Sequence, residues 1–153
     1  VTPVRIDPAT GGLSLLGSSV STLPEDWDAA TTAMRGDSMF TDREKQISQA
    51  AHVAMHPSGR WCYGSNRGHD SIVCFEIDPA DGSQLRLVGW TPTYGAHPRN
   101  FGIHPSGKWL VVANQNSDNI VLFRLDPTSG VLTREGDPIS VEGKPRCIKF
   151  RPV

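Results

Sequence analysis

No run of apolar residues in this chain approaches the roughly 18 needed to cross a membrane as a helix. Neither sign of charge is in excess, with 15 Lys and Arg against 16 Asp and Glu. A net charge of −1 gives no whole-chain attraction to nucleic acid or to an anionic membrane. Cysteine is scarce, and Cys62, Cys74 and Cys147 are an odd set without metal-ligand spacing. Cys62 and Cys74 fall where they could face each other across a hairpin. A bridge between paired strands is strained, however, so reduced thiols in a cytoplasmic protein are the expectation. The G-x-S-x-G elbow, H-E-x-x-H, the P-loop and G-x-G-x-x-G are all missing. No hydrolytic or nucleotide-binding motif can therefore be read directly, and neither a metal nor an organic cofactor is expected. The opening VTPVRID has no initiator Met and no basic-then-apolar leader.

What the chain does have is glycine (15), proline (12) and a repeat. HPSGRWCYGSNRGHDSIVCFEIDPADG (56–82) aligns without a gap on HPSGKWLVVANQNSDNIVLFRLDPTSG (104–130), with 13 identities at a spacing of 48 residues. A period in the forties with turn signals and β-branched runs marks a β-propeller or a related array. Each copy resolves into four short strands: 53–56, 60–66, 72–78 and 85–90 in the first, then 101–104, 108–114, 120–126 and 132 onward in the second. The apolar third strand of each is of the buried kind. The D-P-x-x-G that follows it has proline to preset φ and glycine to accept a positive φ.

Partial copies flank these two. VRIDPATGGLSLLG (4–17) matches the second half of a unit, and KPRCIKFRP (144–152) matches the opening HPRNFGIHP (97–105). The expected fold is all-β, with four-stranded antiparallel meanders at about 48 residues per blade. The blade boundaries fall at 1–23 (end of a blade), 51–94 and 95–143 (complete blades) and 144–153 (opening strand), giving eleven strands. Residues 24–50 are an insertion. Its Thr41-Asp42-Arg43-Glu44 has the form of a capping box, so 42–50 reads as either a short helix or an open loop. About three blades are too few to close a ring of the usual four to eight. The expectation is a longer parent chain or self-association, since an open arc leaves strand edges and apolar flanks uncovered.

A meander alternates its loops between two edges. The H-P-S-G and D-P-x-x-G turns share one edge and repeat with little change, as structural punctuation does. His56, His104, Asp7, Asp78 and Asp126 are accordingly read as turn formers. The other edge collects Asn66, Arg67, His69 and Asp70, then His97, Arg99 and Asn100, then Asn114, Gln115, Asn116 and Asp118, and it differs between copies. Arg67, His69 and Arg99 there suit an anionic ligand. The only Trp-Asp pair, Trp27-Asp28, precedes Gly68-His69, which is the wrong order for a WD-type repeat.

The strings SNRGHDSI (65–72), HPRNFGIHPSGKWLVVANQNSDNIVLFRLDP (97–127) and VRIDPATGGLSLL (4–16) resemble the lactonase family of seven-bladed β-propellers. That family includes the propeller-type 6-phosphogluconolactonases and the carboxy-cis,cis-muconate lactonizing enzymes. The resemblance covers most of the chain outside the insertion and corresponds to the C-terminal part of the family fold. It implies a lactone-ring reaction without a metal, in which a His, an Arg and a Glu act together with the Arg of the S-N-R loop. Only that last residue has a match here, Arg67, which the resemblance makes catalytic. His52 and Glu44 fall in no matching motif and take no such role. Arg99 is assigned to a substrate carboxylate or phosphate, with Asn66, His69, Asn114 and Gln115 lining the substrate. The first expectation is therefore a hydrolase of an anionic sugar-acid lactone. The alternatives are a muconate cycloisomerase and a non-catalytic propeller module that binds a partner on its loop edge.

Overall fold

The computed structural model describes residues 1–27 and 48–151. Among these the fold is all-β, with eleven strands in three antiparallel sheets. The first sheet is the ribbon β1 (Val4–Ile6) and β2 (Leu13–Leu15). The second is a four-stranded meander of β3 (Gln49–Met55), β4 (Trp61–Arg67), β5 (Ser71–Ile77) and β6 (Leu85–Pro92). The third repeats it with β7 (Pro98–Ile103), β8 (Trp109–Asn114) and β9 (Asn119–Leu125). Its fourth position is split into β10 (Leu132–Arg134) and β11 (Ile139–Ser140), both paired with β9. The split falls at Glu135-Gly136-Asp137-Pro138, where Gly136 takes a positive φ of 69° and Pro138 has no N–H for the ladder.

The central strands of the second sheet are apolar on both faces because both faces are covered. Cys62, Val73 and Phe75 pack toward Val1 and Val20 beside the first sheet. Trp61, Tyr63, Ile72 and Cys74 share a larger core with Phe101, Leu110, Val112 and Phe123 of the third sheet. This arrangement settles the cysteines. Cys62 lies opposite Phe75 while Cys74 lies opposite Tyr63, so the two thiols project from opposite faces and all three cysteines are free.

The structure departs from the local expectations at two places. Gln49 and Ala50 are not helical: they pair with Arg67 and Asn66, so β3 starts four residues earlier than the apolar pattern implies. The rest of the 42–50 segment and its capping box lie outside the described residues. Segment 144–151 is assigned no strand, since no strand among the described residues pairs with it. It packs along β7 instead, where the Ile148 N–H donates to Asn100 Oδ1 at 2.8 Å and the Phe150 ring meets His104 edge-on at 5.1 Å. The eleven strands therefore include β11 and not this segment.

The turn edge is built by repetition. Gly11, Gly82 and Gly130 each donate a backbone N–H to the carbonyl of Asp7, Asp78 and Asp126, at 2.8–2.9 Å. Asp7 and Asp126 also accept nearby turn amides, which holds their carboxyls below the usual carboxylate range. His56 Nδ1 accepts the Ser58 N–H at 3.1 Å, which leaves Nε2–H to donate to the Gly107 carbonyl of the next sheet at 2.9 Å. His56 thus joins two sheets at their turns.

Gly130 and Gly59 separate backbone strain from packing. Both have φ near +73°, so alanine at either costs about 1–2 kcal/mol. Nothing surrounds a β-carbon at Gly59, whereas one at Gly130 would lie 2.8 Å from Trp61 ring carbons and 3.0 Å from Cys74 Sγ. Gly130→Ala is expected to lower stability by a further 1–3 kcal/mol or so relative to Gly59→Ala in urea denaturation.

Candidate functional site

The loop edge between the second and third sheets gathers the polar residues that depart from simple repetition. Arg67 ends β4, and Arg99 occupies a bulge in β7, where the register against β8 shifts between Pro98 and Asn100. Bulges re-aim side chains and are frequent beside active sites. The earlier sheet has its own bulge in β3, between Ala50 and Val53, but Ala51 stands there at the position equivalent to Arg99. Only the later copy therefore carries a cation.

The two guanidiniums interact. Burial is the first cause that holds Arg67 below the ordinary arginine range, and the positive charge of Arg99 is the second. Arg67 is half-buried and its Nε is a buried donor with no hydrogen-bond partner. Arg99 is exposed. A buried donor left open beside a second cation favours an anion, which would fill the hydrogen bond and offset the repulsion.

Asn66 and Asn114 are repeat equivalents and are fully buried. Each uses its amide to pin its sheet to the connection leaving the preceding one. Asn66 Nδ2 donates to the Thr22 carbonyl at 2.7 Å and Asn114 Nδ2 to the Thr93 carbonyl at 3.0 Å. What remains open on each is Oδ1, a buried acceptor without a partner, and Gln115 Oε1 is a third. His69 Nδ1 sits 2.6 Å from Ser71 Oγ, and its ring meets Trp27 edge-on at 6.1 Å. The structure thus brings Arg67 and Arg99 together, and it places both asparagines first as pins between sheets.

Sequence reasoning missed two features. The carbonyls of Thr22 and Thr93 act as receiving points for the asparagines, and a backbone acceptor has no side-chain signature. The second is the bulge at Arg99, since one extra residue in a strand leaves the apolar pattern nearly unchanged. Among the described residues, no group of three or more His, Cys, Asp and Glu is arranged to hold a metal ion, and no helix is long and apolar enough to cross a membrane.

Residues 1–150 match the family described as lactonase, 7-bladed beta-propeller. The chain belongs to that family. The 6-phosphogluconolactonase of Formosa agariphila is 49% identical over 63 residues, which cover 39% of this chain and 18% of that protein. The 6-phosphogluconolactonase of Bacillus subtilis (strain 168) is 40% identical over 62 residues, 40% of this chain and 16% of that one. The solved structure of the periplasmic gluconolactonase PpgL of Pseudomonas aeruginosa superposes with a TM-score of 0.75 at 28% identity, over 97% of this chain and 36% of that chain. The matched segments of this lactonase-family chain therefore cover less than a fifth of the two 6-phosphogluconolactonases, and nearly the whole chain covers 36% of the solved relative.

Proposed function

We propose that this chain supplies part of the substrate site of a lactone hydrolase acting, without a metal, on an anionic sugar-acid lactone such as 6-phosphogluconolactone. The observation that carries this reading is the open, buried Arg67 Nε beside the Arg99 guanidinium. In hydrolysis, water adds to the lactone carbonyl carbon and negative charge gathers on the carbonyl oxygen. The ring C–O bond then breaks and the departing oxygen takes up a proton. Arg67, partly withdrawn from solvent, is placed to stabilise the charge on the carbonyl oxygen. Arg99, exposed and re-aimed by its bulge, takes the phosphate or carboxylate of the same molecule.

The open acceptors favour a sugar acid over a muconate. Gln115 Oε1 and Asn114 Oδ1 can each accept from a hydroxyl, and a dicarboxylate without hydroxyl groups has none to offer. No general base is assigned. His52, which burial and Lys149 hold below the ordinary imidazole range, lies outside the family's motifs. The remaining reaction groups and the closing blades belong to other parts of the ring, from the same polypeptide or a second copy. Val4, Ile6, Leu13 and Leu15 support this, because cross-strand pairing puts them on one exposed apolar face of the first sheet. Such a face fits a neighbouring blade. A cytoplasmic location, suggested by the free thiols, is part of the same proposal, although one relative is periplasmic.

Arg99→Ala tests the assignment of the anionic end. Steady-state kinetics of the complete polypeptide on 6-phosphogluconolactone should show KM raised by about tenfold with kcat held within about threefold, as for a group that binds ground and transition states alike. A fall in kcat at unchanged KM would move Arg99 into the chemical step.

A further inference from the structure

We propose that Asp70 is a positioning residue that fixes the separation of Arg67 and Arg99. The inference rests on the reading of this edge as an anion site. Asp70 is buried and left-handed, with φ at 55°. One of its carboxylate oxygens, Oδ1, accepts two backbone amides from different sheets. The Gly68 N–H reaches it at 3.2 Å and the His97 N–H at 2.9 Å. Gly68 directly follows Arg67, and His97 stands two residues before Arg99. The Asp70 carbonyl closes the clamp by accepting the Thr93 N–H at 2.9 Å and Thr93 Oγ1 at 3.0 Å. A single side chain therefore ties the end of β4 to the start of β7.

The clamp has something to oppose. Arg99 and Arg67 repel each other, and Arg99 sits on a bulge, where the ladder is locally broken. Hydrogen bonds to an ionised acceptor are stronger than neutral ones, so a carboxylate suits a clamp that holds two backbone amides against this repulsion. The device is inherited from the repeat. Asp118, with φ at 48°, accepts the Lys144 N–H through Oδ1 at 2.8 Å, and its carbonyl accepts the Val141 N–H at 2.8 Å. There the residue equivalent to Arg67 is Gln115, so only the Asp70 copy spans two interacting arginines.

The test uses inorganic phosphate as probe and the Arg67 Nε–H nuclear magnetic resonance signal as a readout that needs no ligand. Asp70→Ala removes the acceptor, Asp70→Asn keeps it, and His56→Ala breaks the sheet-to-sheet bond at the opposite edge. Asp70→Ala should weaken phosphate binding by about tenfold or more and bring the Arg67 Nε–H into fast exchange with water, while Asp70→Asn stays within about threefold of wild type. His56→Ala should lower stability and change neither readout. An Asp70→Ala protein with wild-type phosphate affinity and an unchanged Arg67 signal overturns the proposal. So does a His56→Ala protein that loses phosphate equally, since general loosening would then suffice. Should Asp70→Ala fail to fold, Asp70→Ser is read by the same two criteria. A wild-type protein that binds phosphate but opens no sugar lactone defeats the lactonase reading alone. One that binds no phosphate defeats the anion site as well, and in either case the Arg67 signal still decides the clamp.

Discussion

Replacing Arg67 by alanine should lower kcat for 6-phosphogluconolactone by about 10²–10³-fold, equivalent to roughly 2.7–4 kcal/mol of transition-state stabilisation. The size follows from the position of the donor. Arg67 Nε is buried and unpartnered, so it carries no hydrogen bond that must be broken before it can serve the carbonyl oxygen. Burial and the nearby Arg99 both make its positive charge unfavourable. Charge developing on the substrate relieves both effects, and it does so most in the transition state. Arg67→Lys should recover only a small part of the loss, because an ammonium cannot reproduce the planar fork of donors. Initial rates at saturating substrate give kcat directly. A change confined to KM would instead make Arg67 a simple anchor.

Trp61→Ala should cost about 3–5 kcal/mol of stability, the usual range for truncating a buried tryptophan. Trp61 is 1% exposed because the next sheet covers it. Its indole Nε1–H donates to the Pro127 carbonyl at 3.3 Å, and neighbouring Tyr63 donates its hydroxyl to the Gly130 carbonyl at 2.8 Å. Both bonds cross from the second sheet to the turn of the third. Trp109 is the same residue one repeat on, yet it is only partly buried. Trp109→Ala should therefore cost less than half as much as Trp61→Ala in urea denaturation of the 153-residue chain. Equal losses would mean that a further sheet or a second copy covers Trp109 in solution.

Much of this was legible in the sequence, for reasons particular residues make clear. The two H-P-S-G turns and the three D-P-x-x-G turns carry their own instructions, since proline fixes one φ and glycine admits the positive one. The 48-residue spacing then put Arg67 and Arg99 on one edge by alternation alone. The bounds of β3 were less legible, because Gln49 and Ala50 are held by pairing with Arg67 and Asn66 and by nothing in their own character. Segment 144–151 has the composition of an opening strand, but no strand among the described residues pairs with it, and a strand is defined by that pairing. The asparagines were legible only in part. Asn66 and Asn114 sit where a ligand site would place polar groups, and their amides in addition serve the carbonyls of Thr22 and Thr93. Asp70 was visible as one polar loop residue among several. That a single oxygen of it receives amides from two sheets is a product of the fold and has no local signature.

The most direct measurement is the turnover of 6-phosphogluconolactone by the complete polypeptide, wild type beside Arg67→Ala, with cyclisation of a carboxy-cis,cis-muconate followed in parallel. The expected result is hydrolysis of the sugar lactone, its near-abolition by the substitution, and no reaction of the muconate. Turnover that is indifferent to Arg67, or no turnover of the sugar lactone at all, would contradict the assignment of this edge as a lactonase site.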